Sequence, residues 1–292
     1  MRTKLISLLC LAAPLTLAAC GGSTTATTTG TGDSCAKADL ALKSAGKLTV
    51  GTDNPAFPPW FGGGEMSSPW KINDPATGKG YESAVVYAVA KKLGFEPTEV
   101  TWTVVPFDKA FSPGKKDFDI LANQVSISPQ RAKAVTFSSG YYNVNQAVIA
   151  LESNAVAKAT TMAELKDVKF GAQVGTTSLS ALKERVAPTK EVAVYNNQID
   201  VITALKTKQV DAIVVDLPTG FYVTAAEIEN STIVGQFPLV DGASGEQFGL
   251  VMEKDSPIAT CVTDAVDALQ SDGTLGTLEQ TYLAEAGAPF LK

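Results

Sequence analysis

The chain has 292 residues, 45% of them hydrophobic, and carries 24 Lys and Arg against 30 Asp and Glu for a formal net charge of −6. An acidic chain without a basic run is a poor match for nucleic acid. With no histidine, it supports neither a Ser-His-Asp or Cys-His nucleophile system nor a His-ligated zinc.

Residues 1–19 read as an export signal. Arg2 and Lys4 form a short basic head, and the apolar stretch 5–17, interrupted by Ser7, Pro14 and Thr16, is too short for a stable membrane span. Leu17-Ala18-Ala19-Cys20 resembles the lipobox of bacterial lipoproteins, whose Cys thiol carries a diacylglycerol. The alternative is an ordinary secretory signal in which Cys20 is incidental. Residues 21–32 are all Gly, Ser, Thr or Ala and bury too little apolar surface to offset chain entropy. The stretch 20–34 is therefore expected to be a flexible tether. Cys10 would leave with the signal and Cys20 would be lipidated, so Cys35 and Cys261 remain. In an oxidising compartment such a pair reads as a disulfide, the alternative being two buried free thiols. A bond between them would close most of the chain into one loop, worth ~3–5 kcal/mol in the loop-entropy model.

Beyond the tether, short apolar runs alternate with amphipathic patterns. Residues 47–51 read as a strand, 82–93 as a helix stopped by Gly94, and 99–105 and 119–124 as strands. The grammar then repeats. Strands are expected at 146–151, 169–173, 191–195 and 211–215, and helices at 178–186 and 198–208. Thr161-Met-Ala-Glu164 is a capping box opening a short helix. Ser256-Pro257 is expected to cap a long helix running to about Ser271 and closed by Gly273. Such alternation implies parallel sheets covered on both faces, and the hydrophobic share supports cores for two lobes. Two local echoes, Lys115-Lys-Asp-Phe-Asp119-Ile-Leu and Lys206-Thr-Lys-Gln-Val-Asp211-Ala-Ile-Val, fit a duplicated plan or chance similarity of common βα grammar.

Four constellations carry chemistry. Gly51-Thr-Asp53-Asn-Pro-Ala-Phe57-Pro-Pro-Trp60 lies just past a strand's carboxyl end, where ligands sit in open α/β sheets. Its carboxylate beside aromatic faces suits a cation and its hydrocarbon body, or simply a Pro-rich turn. In Asn123-Gln124-Val-Ser126-Ile-Ser-Pro-Gln-Arg131 a buried strand ends in amides and hydroxyls before a short helix bearing Arg131. The planar guanidinium fork matches a carboxylate, or sits on the surface. Val174-Gly175-Thr176-Thr177-Ser178 is a hydroxyl-rich turn whose helix-start N–H groups suit an anion; simple capping explains it equally. Asp216 leaves a buried strand before Leu217-Pro218, as a partner for an ammonium or as a turn residue. Together these parts complement a zwitterionic α-amino acid. Thr77-Gly-Lys-Gly80 lacks the leading Gly and the hydroxyl of a phosphate loop, and no cofactor or metal is expected.

Residues 47–283 resemble the polar-amino-acid group of extracellular solute-binding proteins of ABC importers. The matches are "LTVGTD", "AVAKKLGF", "FDILANQVSISPQRAKAVTFSSGYY", "VGTTS", "VDAIVVD" and "FGLVMEKDSP" with "DALQSDGTLGTLEQTYL". The resemblance implies a two-lobed α/β periplasmic-binding-protein-like fold (type II) joined by a two-stranded hinge. Lobe 1 would comprise 35–145 plus 244–292 and lobe 2 146–243, with crossings near 143–146 and 243–246. It implies that Arg131, helped by Ser126 and the Thr177 backbone, grips the ligand α-carboxylate. Asp216, assisted at the Gln124 position, would hold the α-ammonium; Phe57 and Phe107 would sandwich the side chain and Asp53 line its polar end. The expected partners are an amino acid, an ABC permease and, through the lipid, a membrane; the protein is expected to be an extracytoplasmic monomer. Departures from the pattern fall near the side-chain end. Ser83-Ala84 follows Gly80-Tyr81-Glu82, the 61–79 loop is long and Gly-rich with Trp70, and Asn123-Gln124 replaces smaller residues. The competing class is a secreted enzyme on the same fold, a dehydratase or peptidoglycan lyase, which needs a general acid or base in the cleft.

Overall fold

The computed structural model describes residues 34–239, 245–283 and 287–292. The expected export signal, the lipid-bearing Cys20, all but the end of the tether and residues 243 and 244 of the second crossing lie outside the described residues. Ten strands are described: β1 (Leu48–Thr52), β2 (Val100–Val104), β3 (Ile120–Leu121), β4 (Val135–Val144), β5 (Gln146–Leu151), β6 (Phe170–Gln173), β7 (Ala193–Tyr195), β8 (Ala212–Asp216), β9 (Ser231–Gln236) and β10 (Glu246–Glu253). They form two five-stranded sheets, ordered β2-β1-β3-β10-β4 and β7-β6-β8-β5-β9, one to each lobe.

Both sheets are mixed, which corrects the expectation of parallel ones. β1 is parallel to β2 and β3, and β6 to β7 and β8. β10, however, is antiparallel to β3 and β4, and β5 to β8 and β9. The reason lies in the connections. Only Asn145 separates β4 from β5, so the chain passes straight from one sheet into the other without a crossover helix. It enters the second sheet where the parallel strands end: Gln146, first in β5, pairs with Asp216, last in β8. A strand entering from that edge must run opposite to its neighbours.

Period-2 alternation sends side chains to both faces of each sheet. In the second sheet Val148, Ala150, Ala212 and Val214 join one core, while Ile149, Ile213 and Val215 join another. In the first, Val50 and Ile120 pack with the principal core and Leu121 and Val251 with a smaller one opposite. The covering helices are α1 (Tyr81–Lys92), α2 (Phe107–Ala110), α3 (Thr177–Ala181), α4 (Gln198–Lys206), α5 (Leu217–Tyr222), α6 (Ala259–Ser271) and α7 (Thr274–Tyr282). Val85, Val86 and Val89 of α1 meet Val262, Val266 and Leu269 of α6. The helix expected over 178–186 is instead α3 followed by a π turn, Leu182–Val186. Ser256-Pro257 does not cap α6: Ser256 accepts from the Ala259 N–H in a preceding turn, and Ile258 is the N-cap. Gly273, at φ +79°, ends α6 as expected and opens α7.

The two sequence echoes adopt one local arrangement. Asp119 donates its N–H to Thr49 O at 2.8 Å and accepts the Thr49 N–H on its carboxylate at 2.7 Å. Asp211 donates to Lys169 O at 2.8 Å and accepts the Lys169 N–H at 3.0 Å. Each carboxylate thus clamps the start of the neighbouring parallel strand. Cys35 and Cys261 are bonded, with Cα atoms 5.4 Å apart, tying the start of the described chain to α6. The C-terminal residues depart from the expected division into 35–145 plus 244–292. Gln236 and Leu291 exchange main-chain bonds with Pro289 and Gln236 at 2.7 and 2.9 Å, and Lys292 bonds Thr160 at 2.9 Å, so 289–292 rest on the second sheet. No helix among the described residues is long and apolar enough to cross a membrane.

Candidate functional site

Strand ends from both sheets enclose a cavity of about 230 Å³. From the first lobe, Asp53, Phe57, Trp60, Phe107, Asn123 and Gln124 line it; from the second, Thr176, Thr177 and Asp216 do. Nine expected residues are thereby brought together. The polar ones follow β1, β3 and β6 or end β8, because parallel strands in each sheet finish at the same edge.

Arg131 and Ser126 do not line the cavity. Arg131 is 8% exposed and lies with its guanidinium carbon 4.4 Å from the Phe111 ring centroid and 5.7 Å from that of Phe107. Its Nη1 donates to Ser126 O at 2.7 Å and its Nη2 to Gly175 O at 2.8 Å, the latter across the cleft. A buried guanidinium without a carboxylate against it is satisfied by carbonyls instead, and these two bonds engage two of its five N–H donors. Burial lowers its pKa to about 10, with Glu246 and Asp216 acting in the opposite sense. The Ser126 hydroxyl donates to Glu246 Oε2 at 3.0 Å and lies 3.3 Å from the Thr177 hydroxyl.

Asp216 stands at the N-terminus of α5, ahead of Pro218. Burial first, and then the Glu246 charge, push its carboxyl up to about 8, against a hydrogen bond from Gln146 and the Arg131 charge. The motif reading missed Gln146, which bonds Asp216 from behind the wall, and the lining residues Lys71, Gln173, Asn197, Gln198 and Thr219. Gln146 Nε2 donates to Asp216 Oδ1 at 2.7 Å and to Glu246 Oε2 at 3.3 Å, while its Oε1 accepts from Ser178 Oγ at 2.5 Å. The available signal for Gln146 was a lone amide opening the apolar run Gln-Ala-Val-Ile-Ala-Leu.

Gln124 bonds away from Asp216. Its main-chain N–H donates to Glu82 at 2.7 Å, and its side-chain amide reaches the same carboxylate, as does the Tyr141 hydroxyl. Gln124 holds φ +48° to do so, a region that a non-glycine residue enters at a cost in strain. Asp53 accepts the Asn54 N–H at 2.7 Å and the Phe107 N–H at 3.2 Å. Burial shifts its pKa upward against those two bonds. Trp60 is 1% exposed, and its indole Nε1 donates across the cleft to Thr219 Oγ1 at 2.9 Å. Phe57 faces Tyr222 with ring centroids 6.3 Å apart. Thr176 caps α3, accepting the Leu179 N–H at 3.1 Å, so its hydroxyl has the structural role as well as a place on the wall.

The 61–79 loop folds back on this wall. Asn73, 2% exposed, donates to Ala56 O at 2.8 Å and Phe61 O at 3.2 Å. Asn54 holds Pro69 O at 2.7 Å and the Lys71 N–H at 3.1 Å. These ties bring Lys71 to the cavity's edge.

Comparison with known proteins gives a consistent outcome. A probable histidine-binding protein of Campylobacter jejuni is 28% identical over 212 residues, 70% of this chain and 77% of that one. An L-cystine-binding protein of Escherichia coli K12 is 26% identical over 247 residues, 82% and 84% of the two chains. Among solved structures, an ancestral amino-acid-binding protein, a precursor of cyclohexadienyl dehydratase, superposes with a TM-score of 0.65 at 25% identity, covering 81% of this chain and 95% of that one. Residues 48–285 match the model of one family along their whole run. The chain belongs to the bacterial extracellular solute-binding proteins, family 3.

Proposed function

We propose that the protein captures a polar α-amino acid between its lobes outside the cytoplasmic membrane and delivers it to an ABC importer. The observation that carries this reading is the charge arrangement around Gln146. Asp216 faces the cavity for an ammonium, and Arg131 lies close enough to stabilise its charge. The α-ammonium would sit against Asp216. The α-carboxylate would be taken by the Arg131 N–H groups not given to Ser126 O and Gly175 O, with the Ser126 hydroxyl and the Thr177 main chain beside it. Phe57 and Phe107 would flank the side chain and Asp53 its polar end. Cys20 would carry the lipid, leaving the binding lobes tethered at the membrane near a permease.

Calorimetry of free amino acids against the purified protein tests the site. Arg131→Ala and Asp216→Ala should each cost ~2–5 kcal/mol of binding, the range for removing one partner of a buried charge pair. Wild-type affinity in both variants refutes the assignment.

A specific observation also favours catalysis. A cleft carboxyl held up to about 8 is the kind of group that donates or takes a proton near neutrality. On that reading Asp216 acts as acid or base, and the bound compound is consumed. An unchanged NMR spectrum of the ligand after prolonged incubation with stoichiometric protein rejects it.

A further inference from the structure

Two amide nitrogens on the cavity wall are buried without a hydrogen-bond partner: Asn123 Nδ2 and Gln198 Nε2. Asn123 is 7% exposed and follows β3, while Gln198 opens α4 on the opposite lobe. A buried donor left unpaired carries its full desolvation penalty, so such atoms mark where an acceptor belongs. The exposed Lys71 adds an ammonium to the same wall, carried there by the 61–79 loop, which Asn54 ties at Pro69 and Lys71 and Asn73 ties to Ala56. Among the acceptors on the same wall is the Asp53 carboxyl. Asp53 has two main-chain N–H groups on its carboxyl and lone pairs to spare.

Donors to read a carbonyl oxygen, with one carboxyl to read an N–H, complement a carboxamide. An ammonium or guanidinium tip would meet Lys71 as a like charge and could engage the two amides only by turning their oxygens inward. Building on the amino-acid reading above, we propose that Lys71 and Gln198, with Asn123, read the side-chain carbonyl of the ligand while Asp53 takes its amide N–H, so that the site selects a carboxamide-tipped amino acid over a cationic one. The long loop is then a specificity element: it delivers Lys71 to the pocket.

The test is calorimetry with L-glutamine, L-arginine and L-norvaline, the last having a comparable chain without the amide. Glutamine should bind wild type at least about ten-fold more tightly than either, because a site built for a polar tip rejects an analogue lacking it. Gln198→Leu and Lys71→Met should each weaken glutamine by about ten-fold, the worth of one such hydrogen bond, and leave norvaline unchanged. Lys71 is exposed, so its replacement does not threaten folding, and Lys71→Arg should restore the glutamine preference. Arginine binding more tightly than glutamine, or a glutamine-to-norvaline ratio indifferent to both variants, overturns this inference while leaving the α-amino-acid reading intact. Absence of any amino-acid binding, or binding unaffected by Asp216→Asn, overturns that reading and this one with it.

Discussion

Glu82 gives the sharpest quantitative test of the structure. It is 0% exposed in the first turn of α1 and holds three donors from Gln124 and Tyr141. Burial dominates those bonds and raises its pKa from 4.5 to about 7. A carboxyl whose folded pKa lies above its unfolded one binds a proton more readily in the folded state. Its contribution is therefore fullest below the unfolded value and is lost as pH rises through the folded one. The interval from 4.5 to about 7 corresponds to roughly 3 kcal/mol. Glu82→Gln fixes the uncharged form; the Gln124 amide need only turn its oxygen toward the new NH₂. The variant should match wild type within about 1 kcal/mol at pH 4.5 and exceed it by about 2–3 kcal/mol at pH 8. Urea denaturation followed by tryptophan fluorescence across that range provides the measurement. Asp216 titrates in an overlapping window, up to about 8, so the informative quantity is the difference between the two curves. Curves that run parallel from pH 4.5 to pH 8 would refute the reasoning.

Two further outcomes test the framework around the site. At Gly80, with φ +90°, a Cβ would lie 2.5 Å from Phe61 Cα and 2.6 Å from Trp60 O; Gly80→Ala should cost about 2–5 kcal/mol in denaturant unfolding through combined strain and overpacking. Gly64, also at positive φ but with open space around it, provides the control: Gly64→Ala should cost clearly less. Replacing Cys35 and Cys261 together by serine should remove about 3–5 kcal/mol, seen as a lowered Tm that matches reduced wild type; equal Tm values for oxidised wild type and the double variant would contradict a stabilising bond.

Much of this arrangement was legible before any coordinates. The apolar runs that became β5, β6 and β8 kept their positions to within a residue or so, because a buried strand must be apolar on both faces. The cavity residues were legible for a related reason: a polar group directly after such a run, as at Asp53, Asn123 or Asp216, marks the edge where the sheet ends. The mixed direction of the sheets was not, since no local pattern states from which side a strand enters. β4 shows the cost of that silence, because its burial alternates irregularly over ten residues, and it went unassigned with β9 and β10. The partners of Arg131 were equally hidden. Sequence supplied a guanidinium, but whether it meets a carbonyl or a carboxylate depends on how close Gly175 comes across the cleft.

The crossing strands explain why hinge and site cannot be separated. Gln146 opens β5 and Glu246 opens β10, so each is the first residue of a strand, and both stand beside Asp216. The Gln146 amide bonds both Asp216 and Glu246, setting two carboxylates beside one neutral donor, and the Glu246 charge adds to burial in disfavouring ionised Asp216. An anion entering alone would gain Arg131 but would meet the Glu246 and Asp216 carboxyls beside it. A cation entering alone would relieve the carboxylates but leave the guanidinium on main-chain carbonyls. A zwitterion answers both at once, placing its ammonium by Asp216 and its carboxylate toward Arg131. That balance, more than any single contact, is the reason an α-amino acid is proposed.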